Sequence, residues 1–269
     1  MSLSKTFSLK NYVSLITGGA SGIGYQVSNA LAEAGSNLII ASRRYDLCLE
    51  KCEEISKRYS VKTLAIKSDI TKEKDIVKMV EESIKNYGKI DILVNNAGGS
   101  IVKETTETKL CEWNYIINLN LTSIFLCCRE VGKNMIKRKS GKIINIASVL
   151  GENATDYRLY RKPENKDYFE QLSYSASKGG VINLTRDLAV SWAKYNINVN
   201  SISPGAFLTE NAKEFLEEFC YENIRKRIPF GRWGNDNDLK GAIVFLSSEA
   251  SKYVTGHNLI VDGGWSLWC

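Results

Sequence analysis

Tyr12 to Thr17 is a short apolar run, Tyr-Val-Ser-Leu-Ile-Thr, and it leads directly into Gly18-Gly19-Ala20-Ser21-Gly22-Ile23-Gly24. A helical pattern through Val27, Leu31 and Ala34 follows, Gly35 ends it, and Asn37 to Ala41 reads as a second buried strand. Strand, glycine turn, helix and strand in that order constrain the fold more than any other stretch. Glycines at 18, 22 and 24, with Ser21 and Ile23 between them, let the backbone come close to a pyrophosphate. The helix N-terminus then offers free N–H groups and a positive dipole end to the same phosphates.

The residues after the second strand choose the dinucleotide. A carboxylate there would bind the ribose 2′-hydroxyl of NAD. The strand instead ends Ala41-Ser42-Arg43-Arg44, with no acid before Asp46. A serine hydroxyl and guanidinium groups suit a 2′-phosphate, because Arg makes charge-assisted, paired bonds to phosphate. NADP(H) is therefore favoured over NAD(H).

Strand and helix patterns keep alternating to the end of the chain, which predicts an α/β fold with one doubly wound parallel sheet. Asp69 and Ile70 follow the strand Lys62 to Lys67; Asp69 is placed either to meet an adenine amino group or to cap a turn. Thr71 is the expected N-cap of the next helix. The fourth strand, Ile90 to Val94, ends in Asn95-Asn96-Ala97-Gly98-Gly99, where amides and small residues let a cofactor lie across the strand end or pin the neighbouring backbone. Trp113 to Arg138 reads as one long helix containing Asn118 and Asn120. Asn is a poor helix former with an amide to satisfy, so either a backbone distortion near the chemistry or a packing hydrogen bond is expected there.

Lys142 to Ala147 is a fifth strand and delivers the hydroxyl of Ser148 at its end. Tyr174 and Lys178 lie four apart, on one face of a helix. A phenol has an ordinary pKa of ~10. An ammonium one turn away favours the phenolate, which makes the tyrosine a usable acid or base toward a carbonyl or alcohol oxygen.

Composition excludes several alternatives. No apolar run reaches the ~18 residues of a membrane helix. The first ten residues hold no secretory h-region, and seven cysteines without paired spacing suit reduced thiols, so a cytoplasmic location is expected and no metal site. His257 is the only histidine, which argues against His-based metal or triad chemistry. The net charge of +6 fits solubility and slightly favours anionic ligands; nucleic-acid and membrane partners have no support.

Taken together, Thr17 to Gly24, Asn95-Asn96-Ala97-Gly98, Asn120, Ser148, Tyr174 with Lys178, and Pro204-Gly205 resemble the short-chain dehydrogenase/reductase family over nearly the whole chain. The resemblance implies a single Rossmann-type domain over 1–269 with about seven strands and helices on both faces, usually in a homotetramer or homodimer. It implies Tyr174 as general acid/base and Lys178 as the group that lowers its pKa and holds the nicotinamide ribose. Ser148 would bind the substrate oxygen, and Asn120 would keep a water linked to Lys178. Pro204, Gly205, Phe207 and Thr209 would contact the cofactor. A carbonyl reductase or alcohol dehydrogenase with a small-molecule substrate follows.

One departure stands out. The 25 residues from 149 to 173 exceed the family's usual connection between serine and tyrosine. This insertion, about 152–172, carries Tyr157, Arg158, Tyr160, Arg161, Lys162, Tyr168 and Phe169, and should border the substrate, with 206–230 as a lid segment. The lengthening, and the end from Val254 to Trp265, resemble members acting on sugars and surface glycans, gluconate-type dehydrogenases among them. A sugar-like or sugar-acid substrate is expected. The alternatives are a 3-oxoacyl-thioester (acyl carrier protein) reductase and a non-catalytic dinucleotide sensor.

Overall fold

The computed structural model describes residues 2–160, 170–209 and 218–268. The predicted pocket residues Arg161, Lys162, Tyr168 and Phe169, and lid residues 210–217, lie outside the described residues. Seven strands form one sheet: β1 Val13–Thr17, β2 Asn37–Ser42, β3 Thr63–Lys67, β4 Ile92–Asn95, β5 Gly141–Ile146, β6 Ile197–Pro204 and β7 Asn258–Val261. Their order is β3-β2-β1-β4-β5-β6-β7 and every pairing is parallel.

Because successive side chains point to opposite faces, each strand feeds two cores. Leu15, Ile39, Leu93, Ile143 and Val199 face one, against Ile76 and Met79 of α4 (Glu73–Tyr87), Val131 of α6 (Ser123–Arg138) and Val181 of α7 (Leu172–Trp192). Ile16, Ile40, Val94, Ile144 and Ile202 face the other, against Leu31 of α2 (Gly22–Glu33), Ile55 of α3 (Tyr45–Tyr59) and Leu246 of α9 (Lys240–Ser247). Burial on both faces explains why the central strands read as unbroken apolar runs.

A short α1 (Leu3–Phe7) precedes β1, and α8 (Glu218–Arg227) follows β6. A third, smaller cluster of Val149, Ile224, Ile228, Trp233 and Trp265 sits beyond the carboxyl ends of β5, β6 and β7. Tyr221 stacks on Trp233 there, with centroids 5.3 Å apart.

The expected single helix from Trp113 to Arg138 is interrupted. It divides into α5 (Leu110–Ile117), a π-helical turn over Asn118–Thr122, and α6. Asn120 causes the interruption to be held in place. Its Nδ2 donates to the Gly99 carbonyl at 2.8 Å, and its Oδ1 accepts from the Gly99 N–H at 2.9 Å. Thr71 is not an N-cap either: α4 starts after Lys72, and the Thr71 hydroxyl donates to Asp69 at 2.7 Å.

Candidate active site

β1 and β4 are neighbours where the strand order reverses, so the loops after them diverge and leave a crevice. Gly18 and Gly22 both have left-handed backbone, at φ +65° and +52°. At Gly24 the constraint is contact: a Cβ would lie 2.1 Å from the Gly18 carbonyl oxygen and 2.4 Å from Asn96 Nδ2. Asn96 donates from Nδ2 to the carbonyls of Thr17 and Gly18, both at 3.1 Å, so its amide pins the turn. α2 starts at this turn without a side-chain cap on its first N–H groups.

The crevice is a cavity of about 600 Å³ running from the glycine turn over the ends of β2, β3 and β4. Every expected cofactor residue from Gly18 to Gly98, namely Gly18, Ser21, Gly22, Ile23, Gly24, Ser42, Arg43, Arg44, Asp69, Ile70, Asn96, Ala97 and Gly98, lines it, with Thr209. Arg44 is tied to the turn through a 2.7 Å bond to Ser21 Oγ. The Asp69 carboxylate accepts from the Thr71 N–H and hydroxyl, so it does cap a turn while lining the crevice. Burial pushes its carboxyl up, but the Thr71 hydrogen bonds and the charges of Lys72 and Arg43 outweigh this and hold it below the ordinary range. Ser68, missed in the sequence, also lines the crevice; its buried Oγ has no hydrogen-bond partner among the described residues.

A second cavity of about 440 Å³ shares Ile23, Asn96, Gly98 and Thr209 with the first. Ser148 reaches it from the end of β5; Tyr174 and Lys178 reach it from α7. Ser148 Oγ accepts from Leu150 N at 3.1 Å and is hydrogen-bonded with the Tyr174 side chain. Lys178 is 4% exposed; Nζ donates to the Ile146 carbonyl at 2.7 Å and lies 5.6 Å from the Tyr174 ring centroid. Asn120 lines neither cavity. It sits behind them, donating to Ser177 Oγ at 3.0 Å, and Ser177 donates to the Tyr174 carbonyl at 2.6 Å. A Cβ at Gly98 would lie 3.0 Å from Asn120 Oδ1 and 3.7 Å from Lys178 Nζ, so the absence of a side chain leaves the amine reachable from the crevice.

The electrostatics differ from the expected pattern. Burial raises the Tyr174 phenol and the Ser148 hydrogen bond lowers it, with a net shift upward. Burial also brings the Lys178 ammonium down to about 8. The ammonium is directed at the Ile146 carbonyl, and its own charge is disfavoured, so it does not pull the phenol below its ordinary value in the free chain. Tyr160, the second phenol lining the cavity, is pushed up to about 12, by burial and then by the nearby Cys220, Tyr174 and Asp156.

Pro204 and Gly205 line the second cavity, and a Cβ at Gly205 would lie 2.6 Å from Asp262 Cβ. Phe207 lines neither cavity: it is buried, and a Cβ on Gly234 would lie 2.6 Å from its ring. Arg158, expected at the substrate, pairs with Asp156 at 2.8 Å with its side chain 88% exposed. Gln171 and Ile224 line the cavity from within the expected insertion and lid segments, and Trp265 lines it too, from a position that nothing local in the sequence marks as a site residue. Among the described residues there is no cluster suited to a metal ion and no helix long and apolar enough to cross a membrane.

A parallel sheet with a glycine cradle at its switch point, joined to a Ser-Tyr-Lys cavity, is the arrangement of a nicotinamide-dependent oxidoreductase. A family model described as "Enoyl-(Acyl carrier protein) reductase" matches residues 18–266, and the chain belongs to the short-chain dehydrogenase/reductase family. Its relatives include a 2-dehydro-3-deoxy-D-gluconate 5-dehydrogenase of Dickeya dadantii, 38% identical over 97% of both chains. A 5-keto-D-gluconate 5-reductase of Escherichia coli is 39% identical over 96% of both. Among solved structures, the NADPH-dependent 3-quinuclidinone reductase of Rhodotorula rubra superposes with a TM-score of 0.89 at 30% identity, over 99% of this chain and 96% of that one. The chain is an oxidoreductase acting on CH–OH donors, with a small-molecule substrate and a nicotinamide cofactor. The sensor alternative is thereby set aside.

Proposed function

We propose that this enzyme moves hydride between NADP(H) and a secondary alcohol or ketone of a sugar-like or sugar-acid substrate. The observation that carries the reading is two adjoining cavities that share Ile23, Asn96, Gly98 and Thr209, one lined by Arg43 and Arg44 and the other by Ser148, Tyr174 and Lys178. The residues fit a dinucleotide: a side chain at Gly24 would fill the cradle, and the buried Ser68 hydroxyl is unpartnered where the adenosine half would lie. Ser42, Arg43 and Arg44 would hold the 2′-phosphate.

When bound, the cofactor supplies the hydride, and the substrate carbon takes it. Ser148 and Tyr174 hold the substrate oxygen between two hydroxyls. The Tyr174 proton passes to that oxygen in reduction and returns to the phenolate in oxidation. With the cofactor bound, Lys178 would hold the nicotinamide ribose, and its ammonium, 5.6 Å from the phenol ring centroid, would then favour the phenolate against the burial that raises the phenol in the free chain. Asn120 fixes the π-turn against Gly99 and Ser177, and so holds the water path behind Lys178. The names of the two gluconate-processing relatives, 2-dehydro-3-deoxy-D-gluconate 5-dehydrogenase and 5-keto-D-gluconate 5-reductase, support a sugar acid. A cytoplasmic homodimer or homotetramer completes the reading, with exposed Tyr115, Phe125 and Val190 on α5, α6 and α7 as its contact surface.

The test is NADPH and NADH oxidation against keto-sugar acids, neutral keto-sugars and 3-oxoacyl thioesters. Turnover of a keto-sugar or keto-sugar acid with NADPH preferred supports the reading. Turnover confined to acyl thioesters replaces it with the lipid reductase, and equal use of both cofactors removes the NADP part.

A further inference from the structure

A chain of polar side chains runs through the apolar core between the sheet and α7. Asn95 ends β4, Asn145 stands opposite it in register on β5, and both are buried, as is Thr185 of α7. Asn95 Nδ2 donates to Asn145 Oδ1 at 2.9 Å, and Asn145 Nδ2 donates to Thr185 Oγ1 at 2.9 Å. Thr185 Oγ1 in turn donates to the Val181 carbonyl at 2.8 Å. Leu93 and Ile143, two residues back on the same strand faces, and Val181, one turn back on α7, all belong to the apolar core. Apolar side chains of similar shape would hold this layer about as well, because a buried polar chain gives up hydration for the bonds it gains. Asn95 Oδ1 also lacks a hydrogen-bond partner among the described residues. We infer that Thr185 is a positioning residue for the proposed reaction: held by Asn145, its hydroxyl sets the rotation and register of α7 on β5, and so places Tyr174 against Ser148. The inference rests on the reading above that Ser148, Tyr174 and Lys178 carry the chemistry.

Apolar burial is non-directional, so Val181, Ile182 and Ala189 hold α7 on the sheet but fix its rotation and slide only loosely. A hydrogen bond has a narrow range of length and angle, and fixes them more closely. Lys178 and Thr185 are seven residues apart, two turns along one helix face. Both close onto β5 at adjacent residues: Lys178 Nζ on the Ile146 carbonyl at 2.7 Å, and Thr185 Oγ1 on the Asn145 amide. One such contact would act as a pivot, whereas two contacts two turns apart resist both rotation and sliding. Ser148 lies two residues beyond the end of β5, so the strand that anchors the helix also carries the serine. Lys178 belongs to the site itself, but Thr185 lines neither cavity. Misplacing a reacting group by about 1 Å can cost about 10²-fold in rate.

Two substitutions separate position from packing. Thr185→Val keeps the branched shape and loses the bond to Asn145. Thr185→Ser keeps the hydroxyl and loses a buried methyl. A residue that only fills space would tolerate valine better than serine. A residue that positions the helix through its hydroxyl reverses that order in turnover, although serine still lowers the urea midpoint by opening a small gap in the core.

The experiment has two arms, run on the full chain. The kinetic arm measures turnover of 5-keto-D-gluconate with NADPH, per folded molecule. In Thr185→Val kcat should fall about five- to thirtyfold while KM for NADPH moves by less than about twofold, because the contact orients the reacting groups and does not touch the cofactor. Thr185→Ser should keep at least about half of the parent kcat, since its hydroxyl still meets Asn145. No loss in Thr185→Val, or a loss in Thr185→Ser as large as in Thr185→Val, overturns the inference. The second arm needs no turnover and follows tyrosine labelled with 13C at Cζ by NMR. The Tyr174 signal is assigned by its loss in Tyr174→Phe, and Ser148→Ala marks where it lies once its hydrogen bond with Ser148 is gone. Thr185→Val should move the signal toward that position, and Thr185→Ser should leave it at the parent position. A signal that stays in place in Thr185→Val overturns the inference even when the sugar acid turns over. A signal that moves, in a protein whose parent turns over no ketone, points to failure of the proposed reaction alone.

Discussion

The two joined cavities are built by different means. The cofactor crevice is made of backbone: glycines whose missing side chains leave room, carbonyls pinned by Asn96, and a helix start. Its charged groups are at the rim, where Arg43 and Arg44 are exposed. The substrate cavity is made of side chains drawn from β5, α7, α8 and the segment after β7, with a buried lysine at its base. A crevice of the first kind recognises any phosphate-bearing dinucleotide through local geometry. The second kind depends on long-range packing and can change substrate while the first stays fixed.

The largest effect should come from the chemistry shared by both cavities. Tyr174→Phe removes the proton donor and leaves the glycine cradle untouched. Turnover should fall by about 10²–10⁴-fold, while NADPH binding, followed by quenching of protein fluorescence, stays within about twofold of the parent. Turnover that survives would break the division of labour between the cavities.

Next is the cost of the buried charge. Lys178 and Lys142 are both brought down to about 8 by burial. A lysine with a folded pKa below its ordinary value binds fewer protons folded than unfolded between about pH 8 and 10.5, so stability rises with pH through that window. Lys142 lies at the start of β5, bonded to Asn198 Oδ1 at 2.9 Å, away from either cavity. It serves as the internal control. Lys178→Met should flatten the rise by about half in urea unfolding between pH 8 and 10. Below pH 8 the variant should be more stable than the parent, by an amount approaching roughly 3 kcal/mol less the lost Ile146 hydrogen bond. An unchanged slope would show that Lys178 carries no such penalty.

Smaller again is the effect at the rim. Arg43→Ala should weaken NADPH about tenfold, as a single exposed charge-assisted contact does, and leave NADH within about twofold. Equal effects on both KM values would remove the phosphate role from Arg43 and pass it to Arg44, which is already bonded to Ser21.

The contrast between cavities also explains what the sequence revealed. Gly18 to Gly24, Asn96 to Gly98, and Tyr174 with Lys178 are local patterns, each carried by one turn or one helix face, and each contributes residues to the two adjoining cavities. Trp265, Ile224 and Gln171 come to the site from segments far apart in sequence, and no period or motif links them. The π-turn lies between these cases. The apolar pattern from Trp113 to Arg138 runs on through it, and only the poor helix formers Asn118 and Asn120 hinted at a distortion. Phe207 lies three residues after Pro204, yet its ring belongs to the core beside Gly234, because apolar bulk there is worth more buried than at a polar crevice.

The smallest predicted effect tests the insertion. Its length and its arginines pointed to substrate recognition, but in the described part the two long side chains behave differently. Tyr160 turns inward to the cavity, whereas Arg158 points to solvent and forms its ion pair with Asp156, two residues away. An exposed pair of this kind is worth little, typically below about 1 kcal/mol. Arg158→Ala should therefore leave kcat/KM within about twofold and the unfolding midpoint within about 2 °C. Tyr160→Phe removes one hydroxyl from the cavity wall and should cost more, about three- to tenfold in kcat/KM for a sugar ketone. If Arg158→Ala proves the costlier of the two, the Arg158 guanidinium itself meets the substrate, and the substrate cavity extends beyond the Tyr160 side of this segment.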